Sequence, residues 1–363
     1  MHKILAVMGT RPEAIKMLPL VKELKKREGF EVIVCNSGQH RELIDPIFES
    51  FGETADESFD AMREGQGLFR LTVRMLEYFD GLIARIEPSI VLVHGDTTTA
   101  FCAALAAFYR GVRIGHVEAG LRTYNKSSPY PEEFNRCAVD ALSDYYFAPT
   151  EYAAKRLERE GRAQIFVTGN TVIDALRANV REDHGSELIK RSGDRKILLI
   201  SMHRRENIGA KMSEALFAIK EILLCRRDVF AIFPRHLNPD VRDVSEDIFS
   251  GVKNIAVCDP LEVKEFHNIL YHSYLVLSDS GGIQEEASYL GVPTLLLRDS
   301  TERPELKECG SVRIVGTGAE RIKRELLTLL DNDFEYEKAS RPTSVCGDGS
   351  ASKRIANLLE KLI

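Results

Sequence analysis

Short apolar, β-branched runs alternate along this chain with stretches whose apolar positions recur at helical spacing. The first series of runs is KILAVMG (3–9), EVIVCNS (31–37), IVLVHG (90–95), RIGHVE (113–118), YYFAPT (145–150) and QIFVTG (164–169). The second is KILLIS (196–201), VFAIFP (229–234), IAVCDP (255–260), LVLSDS (275–280), PTLLLR (293–298) and SVRIVG (311–316). Strands that are apolar almost throughout, each followed by a helical pattern, predict parallel sheets covered by helices on both faces. The two series are similar in size. They predict two doubly wound α/β domains, 1–170 and 171–349, with a helix over 350–363 packing back on the first. Two such domains imply a cleft into which both sheets deliver the ends of their strands.

At 363 residues the chain is long enough for two cores. A net charge of −6 does not suit bulk nucleic-acid or membrane binding, so an anionic ligand would need a local basic pocket. Seven cysteines, an odd count with no CxxC pair, point to reduced, buried thiols in a cytoplasmic protein. The run KILAVMG passes directly into TRPE, which suits a first strand better than a secretory signal, and no apolar run is long enough to span a bilayer.

Three carboxylates stand where strands should hand over to loops or helices: Asp96 in VHGDTTTA, Glu118 in GHVEAGLRT and Glu132 in PYPEEFNR. The first strand leads into TRPEAIKM. There Thr10 suits a helix N-cap, Pro12 and Glu13 a first turn, and Arg11 and Lys16 add cations to an end that favours anions. No GxGxxG follows this strand, which argues against a dinucleotide cofactor.

The strongest phosphate signal is LVLSDSGGIQEEASYLG. Ser280 is placed to cap a helix that Gly281 and Gly282 open, and Glu286 lies one turn in, within reach of a ribose diol. Arg303 follows a later strand end. Arg136 lies four residues after Glu132, so both share a helix face, as site residues or as an internal ion pair. His203 in MHRREN is crowded by Arg204 and Arg205, which favours a neutral ring. His94, His116 and His236 also lie near strand ends, but no HExxH or similar ligand pair accompanies them, and no metal is expected.

With these residues in view, the chain resembles the non-hydrolysing UDP-N-acetylglucosamine 2-epimerases over nearly its whole length. The matching strings include MGTRPEAIKMLPL, GQHRELID, VHGDTTTA, GHVEAGLRT, SPYPEEFNR, TGNTVIDAL, MHRREN, HLNP, DSGGIQEEASYLGVPTLLLRD and TERPE. The resemblance implies a glycosyltransferase-B-like fold of two Rossmann-like domains, no cofactor, and reversible inversion at C2 of UDP-GlcNAc to UDP-ManNAc. The family route is anti elimination of UDP to 2-acetamidoglucal, then syn re-addition. The residues suit that route. A hexosamine C2 proton has no adjacent carbonyl to acidify it, and no nicotinamide motif is present to create one, so departure of UDP must do so.

Carried over by position, Asp96, Glu118, Glu132 and His203 match the catalytic set. Asp96 and Glu118 would transfer protons at C2, on either face. Glu132 would assist with Arg136, and His203 would contact the leaving phosphate. Substrate binding maps onto Arg11, Lys16, Arg136, Phe266, Ser280, Gly281, Gly282, Glu286 and Arg303. A second, effector UDP-GlcNAc site maps onto Gln39, His40, Arg205 and His236, although Glu42 and Gly65 stand where a Gln and an Arg are expected. The segment RPTSVCGDGS also departs from the family's NPYGDG. A homodimer serving polysaccharide biosynthesis is implied as well. The rival readings are an epimerase of a modified UDP-hexosamine, a glycosyltransferase, a hydrolysing epimerase and a silent UDP-sugar sensor. The presence of all three acids disfavours the last.

Overall fold

The computed structural model describes residues 1–363 except His40, Glu64 and Ser128, and except the side chains of Arg41, Glu42, Leu43 and Arg205. His40 and the Arg205 side chain, both assigned to the effector site by sequence, therefore lie outside the described residues. The chain divides into two compact units, Met1–Arg177 with Cys346–Ile363, and Ala178–Val345.

The first unit holds β1 (His2–Met8), β2 (Phe30–Asn36), β3 (Glu57–Ser58), β4 (Ile90–His94), β5 (Arg113–Val117), β6 (Tyr145–Ala148) and β7 (Ile165–Val167). Among the described residues these form one sheet in the order β3-β2-β1-β4-β5-β6-β7, and every pairing is parallel. The second unit holds β8 (Lys196–Ser201), β9 (Val229–Pro234), β10 (Ile255–Cys258), β11 (Leu275–Ser278), β12 (Thr294–Leu296) and β13 (Val312–Ile314). Their order is β10-β9-β8-β11-β12-β13, again all parallel. This is the doubly wound α/β class that the apolar runs predict.

Period-two alternation explains why the strands are apolar throughout. In β8, Leu198 and Ile200 pack with Ala215, Leu216 and Ile219 of the helix Ala210–Cys225. Ile197 and Leu199 face the other way, onto Phe230, Ile269 and Leu270. Both faces are covered, so both sets must be hydrophobic. Each fully buried Leu or Ile contributes about 1.5–3 kcal/mol of transfer free energy.

Strand order reverses once in each sheet, between β1 and β4 and between β8 and β11. Ligands of open α/β sheets bind outside the carboxyl ends of the strands at such a point. Chain leaving the first switch point begins at Gly9–Thr10 and Gly95–Asp96. Chain leaving the second begins at Met202–His203 and Asp279–Ser280.

Asn170, where the sequence places the domain boundary, lies inside the first unit. Its backbone N–H donates to Cys346 O (2.7 Å), and Asp174 accepts the Ala351 and Ser352 N–H groups that open the helix Ala351–Leu362. These bonds tie the helix Thr171–Asn179 to the C-terminal segment, whereas periodicity reports only where a helix begins. The cysteines also depart from expectation. Cys35, Cys102 and Cys346 are buried, but Cys137, Cys225 and Cys309 are exposed. Among the described residues, no helix is long and apolar enough to cross a membrane.

Candidate functional site

At the first switch point the acids are held by cations. β5 ends at Val117, and Glu118 turns with φ +67°, a left-handed conformation that costs a non-glycine residue about 1–2 kcal/mol. That turn aims its carboxylate at Lys16, with which it forms a largely buried salt bridge, and at Asn170 Nδ2, 2.6 Å from Glu118 Oε2. Gly169 and Gly347, both left-handed, let the 168–170 and 346–349 turns touch. A Cβ on Gly169 would sit 2.9 Å from Gly347 Cα. The CGDGS turn, to which sequence gave no role, thus supports the asparagine that supports Glu118.

Asp96 pairs with Arg136, whose other nitrogen donates to Glu133 Oε2 (2.9 Å). Arg136 therefore pairs with Asp96 and the buried Glu133, and the internal Glu132–Arg136 ion pair, one of the two alternatives the shared helix face left open, is not formed. The helix Glu132–Leu142 puts residues 133 and 136 one turn apart on its inner face. Glu133 also accepts the Thr123 and Tyr124 N–H groups, fixing the approach to the helix. Glu132 opens that helix, and its Oε2 is buried without a hydrogen-bond partner.

Two further groups complete this half. Glu13 is fully buried and accepts from Gly9 N, Thr10 N, Thr10 Oγ1 and, at 2.6 Å, Thr97 Oγ1, so it joins the β1 and β4 loops. Burial outweighs these bonds and pushes its carboxyl up to about 7. His94, the last residue of β4, is 3% exposed, and burial pushes its imidazole down to about 4. Its Nε2 lies 3.9 Å from Glu118 Oε2.

His116 is spent elsewhere. Its nitrogens lie 2.6 Å from Asp140 Oδ1 and 2.8 Å from Gly95 O. Burial alone would raise the Asp140 carboxyl, but His116 and Arg122 outweigh it and hold it below its ordinary range. Arg11 opens the helix Arg11–Lys25, and Gln39 accepts a hydrogen bond from Thr99 Oγ1 at 2.8 Å.

The second switch point is built from backbone and cations. Asp279, fully buried, accepts from His203 N, Arg204 N and Asn207 Nδ2, which pins the 203–207 turn beside β11. The helix Gly281–Leu290 begins there. Ser280 stands at its N-cap position, but its side chain makes no capping bond, contrary to expectation. Its backbone is extended (φ −76°, ψ 139°), as at a helix N-cap, and its N–H donates to Ser278 Oγ (2.9 Å).

A Cβ on Gly281 would lie 2.9 Å from Arg303 Nη1 and 3.7 Å from Arg204 Nη2, so two guanidinium groups crowd this helix N-terminus. Arg303 is held by Glu285 and Glu302, and Glu302 accepts both terminal nitrogens of Arg298 at 3.0 Å. Burial would raise the Glu302 carboxyl, yet Arg298 and Arg303 bring it down to about 2.

Glu286 accepts from His267 Nε2 (3.0 Å), and Asn179 Nδ2 lies 3.1 Å from His267 Nδ1, which fixes the ring. Phe266 lies half-buried beside His267. The rings of His203 and His236 stack at 5.6 Å. The His203 ring is accessible but crowded by protein. Loss of water first, then His236 and Arg204, lower its affinity for a proton against the pull of Asp279. The expected direction holds, but the arginines are the lesser cause. Among the described residues no cluster of His, Cys, Asp and Glu is suited to hold a metal ion.

Acids paired with cations thus stand at one switch point, and a helix N-terminus crowded by guanidinium groups at the other. The model of the UDP-N-acetylglucosamine 2-epimerase family matches residues 22–360. The chain belongs to this family. It is 45% identical to the UDP-N-acetylglucosamine 2-epimerase of Bacillus subtilis over 98% of this chain and 94% of that one. It is 44% identical to that of Escherichia coli K12, over 99% and 98%. Among solved structures it is similar to the UDP-GlcNAc 2-epimerase from Neisseria meningitidis bound to UDP-GlcNAc (41% identity, TM-score 0.94, 99% and 100% covered). It is equally similar to the Staphylococcus aureus MnaA–UDP co-structure (40%, TM-score 0.94, 100% and 97%). A likeness to the kitacinnamycin glycotransferase, at 14% identity and TM-score 0.66, shows the fold alone and agrees with the glycosyltransferase-B-like class.

Sequence reading missed Glu13, Glu133, Asn170, Asp279, Glu285, Glu302 and His267. Each acts through another side chain or a backbone N–H; local spacing carries a signal for Glu13, Glu133 and Glu302, three or four residues from Thr10, Arg136 and Arg298, but none for the others.

Proposed function

We propose that the protein interconverts UDP-GlcNAc and UDP-ManNAc by inversion at C2. The observation that carries this reading is the pairing of Asp96 with Arg136 and of Glu118 with Lys16 and Asn170 at one sheet's switch point. One carboxylate removes the C2 proton. The C2–H electron pair becomes the C1–C2 double bond, and the C1–O bond breaks with its electrons leaving on UDP. UDP then returns to C1 while a proton is delivered to the opposite face of C2. Elimination is anti and re-addition syn, with no net redox change.

Charge developing on the departing phosphate is stabilised by the N-terminus of the helix Gly281–Leu290 with Arg303, Arg204 and His203. Well-aimed donors of this kind contribute about 3–4 kcal/mol each. Glu286 takes the ribose diol and Phe266 the uracil side. Glu132, with an unpartnered buried oxygen, organises the sugar. Arg11 and Lys16 complete the anion-binding set. No cofactor is required.

The assembly is a cytoplasmic homodimer in polysaccharide biosynthesis. Exposed Leu68, Phe69 and Val73 on one helix, with Phe108, Tyr109 and Phe134 on the two that follow it in the layer, support dimerisation. Light scattering should give twice the chain mass. An effector UDP-GlcNAc would use Gln39, His40, Arg205 and His236. The primary test is to supply UDP-GlcNAc and follow the products by proton and phosphorus NMR. UDP-ManNAc is expected. Free ManNAc with UDP would show hydrolysis instead, and an unchanged substrate would sink the reading.

A further inference from the structure

One buried group of the first unit has no place in the scheme above. His94 Nε2 has no hydrogen-bond partner, yet it lies 3.9 Å from Glu118 Oε2. A buried polar nitrogen is costly to leave unpaired and calls for an explanation. The Lys16 ammonium and the Asn170 amide N–H both donate to that carboxylate oxygen. They suit Glu118 as an anion. Once Glu118 takes a proton it becomes a donor itself, and neither of these two groups can accept.

We propose that His94 is a positioning residue for Glu118, whose Nε2 lone pair receives the O–H of Glu118 when that carboxyl has taken the C2 proton. The step moves one proton from C2 to the Glu118 oxygen. The hydrogen bond to Nε2 then holds it until it is returned, and the imidazole itself stays neutral. This rests on the role given to Glu118 above. Burial keeps the His94 ring neutral at physiological pH, with Lys16 and His116 acting the same way against Glu118 and Asp96. His116 does not compete for the proton, because both its nitrogens already face Asp140 and Gly95 O.

The test compares His94→Leu with His94→Gln, whose amide oxygen can accept. In C2 deuterium exchange, His94→Leu should lose about 10²-fold in kcat with KM changed less than about threefold. Its acid limb should move to lower pH, and His94→Gln should recover at least about tenfold of the loss. Histidine ¹⁵N NMR of the unliganded parent protein should show Nε2 unprotonated at neutral pH. Equal kcat in the two variants, or a protonated Nε2, would overturn the proposal while leaving the epimerase reading intact. A parent protein that exchanges no C2 hydrogen overturns both.

Discussion

The two units present the same topology and opposite chemistry at their switch points. In the first, the side chains that matter are carboxylates, each held by a cation or an amide: Glu118 by Lys16 and Asn170, Asp96 by Arg136. In the second, three carboxylates are structural. Asp279 pins a turn, and Glu285 and Glu302 lock Arg303, whose guanidinium stands with that of Arg204 at a helix N-terminus. On the function proposed above, one fold would serve proton transfer in its first unit and anion binding in its second. The same inversion appears in burial energetics. Glu13 is held by neutral donors and its carboxyl rises to about 7, whereas Glu302 is held by two arginines and falls to about 2.

Substitutions at the acids should break this division most visibly. Asp96→Asn and Glu118→Gln should each lower C2 exchange by about 10²–10⁴-fold while the Kd for UDP, read by calorimetry, moves less than about threefold. Loss of UDP affinity in step with exchange would erase the contrast between the halves.

Stability against pH separates the units next, with opposite signs. Glu13 binds its proton more tightly folded than unfolded, about 7 against 4.5, so its contribution is complete below pH 4.5 and is lost as pH rises through 7. Glu302 is depressed to about 2, so its contribution is present above pH 4.5 and is lost as pH falls through 2. Each amounts to about 3 kcal/mol at most. In urea unfolding across pH, Glu13→Gln should flatten the alkaline decline and Glu302→Gln the acid one.

A smaller effect is expected at Gly281→Ala. The new Cβ would press on Arg303 Nη1, which Glu285 and Glu302 keep from moving aside. The Kd for UDP should rise about 10–100-fold. Unchanged affinity would show that the guanidinium is free to yield. The least effect belongs to Glu132→Gln, with kcat reduced by about tenfold and UDP binding unaltered.

Much of this was legible in the sequence because it depends on local pattern. The twelve apolar runs all became strands, and β3 escaped because two polar residues, Glu57 and Ser58, carry no period. Asp96, Glu118, His203 and Gly281 stood out because each follows a strand end. What escaped is held at long sequence range. Asn170 reaches Glu118 across 52 positions, and Arg303 reaches Glu285 across 18. Arg136 was placed on the right face with its partner left open, since residues 132 and 133 both lie within a turn of it and only packing chooses between them.

The central claim is that carboxylates of the first unit transfer a proton at C2 as UDP departs. It is tested most directly by incubating the protein with UDP-GlcNAc in D₂O and reading C2 by NMR. The account predicts deuterium at C2 of UDP-ManNAc as it forms, and at C2 of the recovered UDP-GlcNAc. Epimerised product that keeps its original hydrogen at C2 would contradict it.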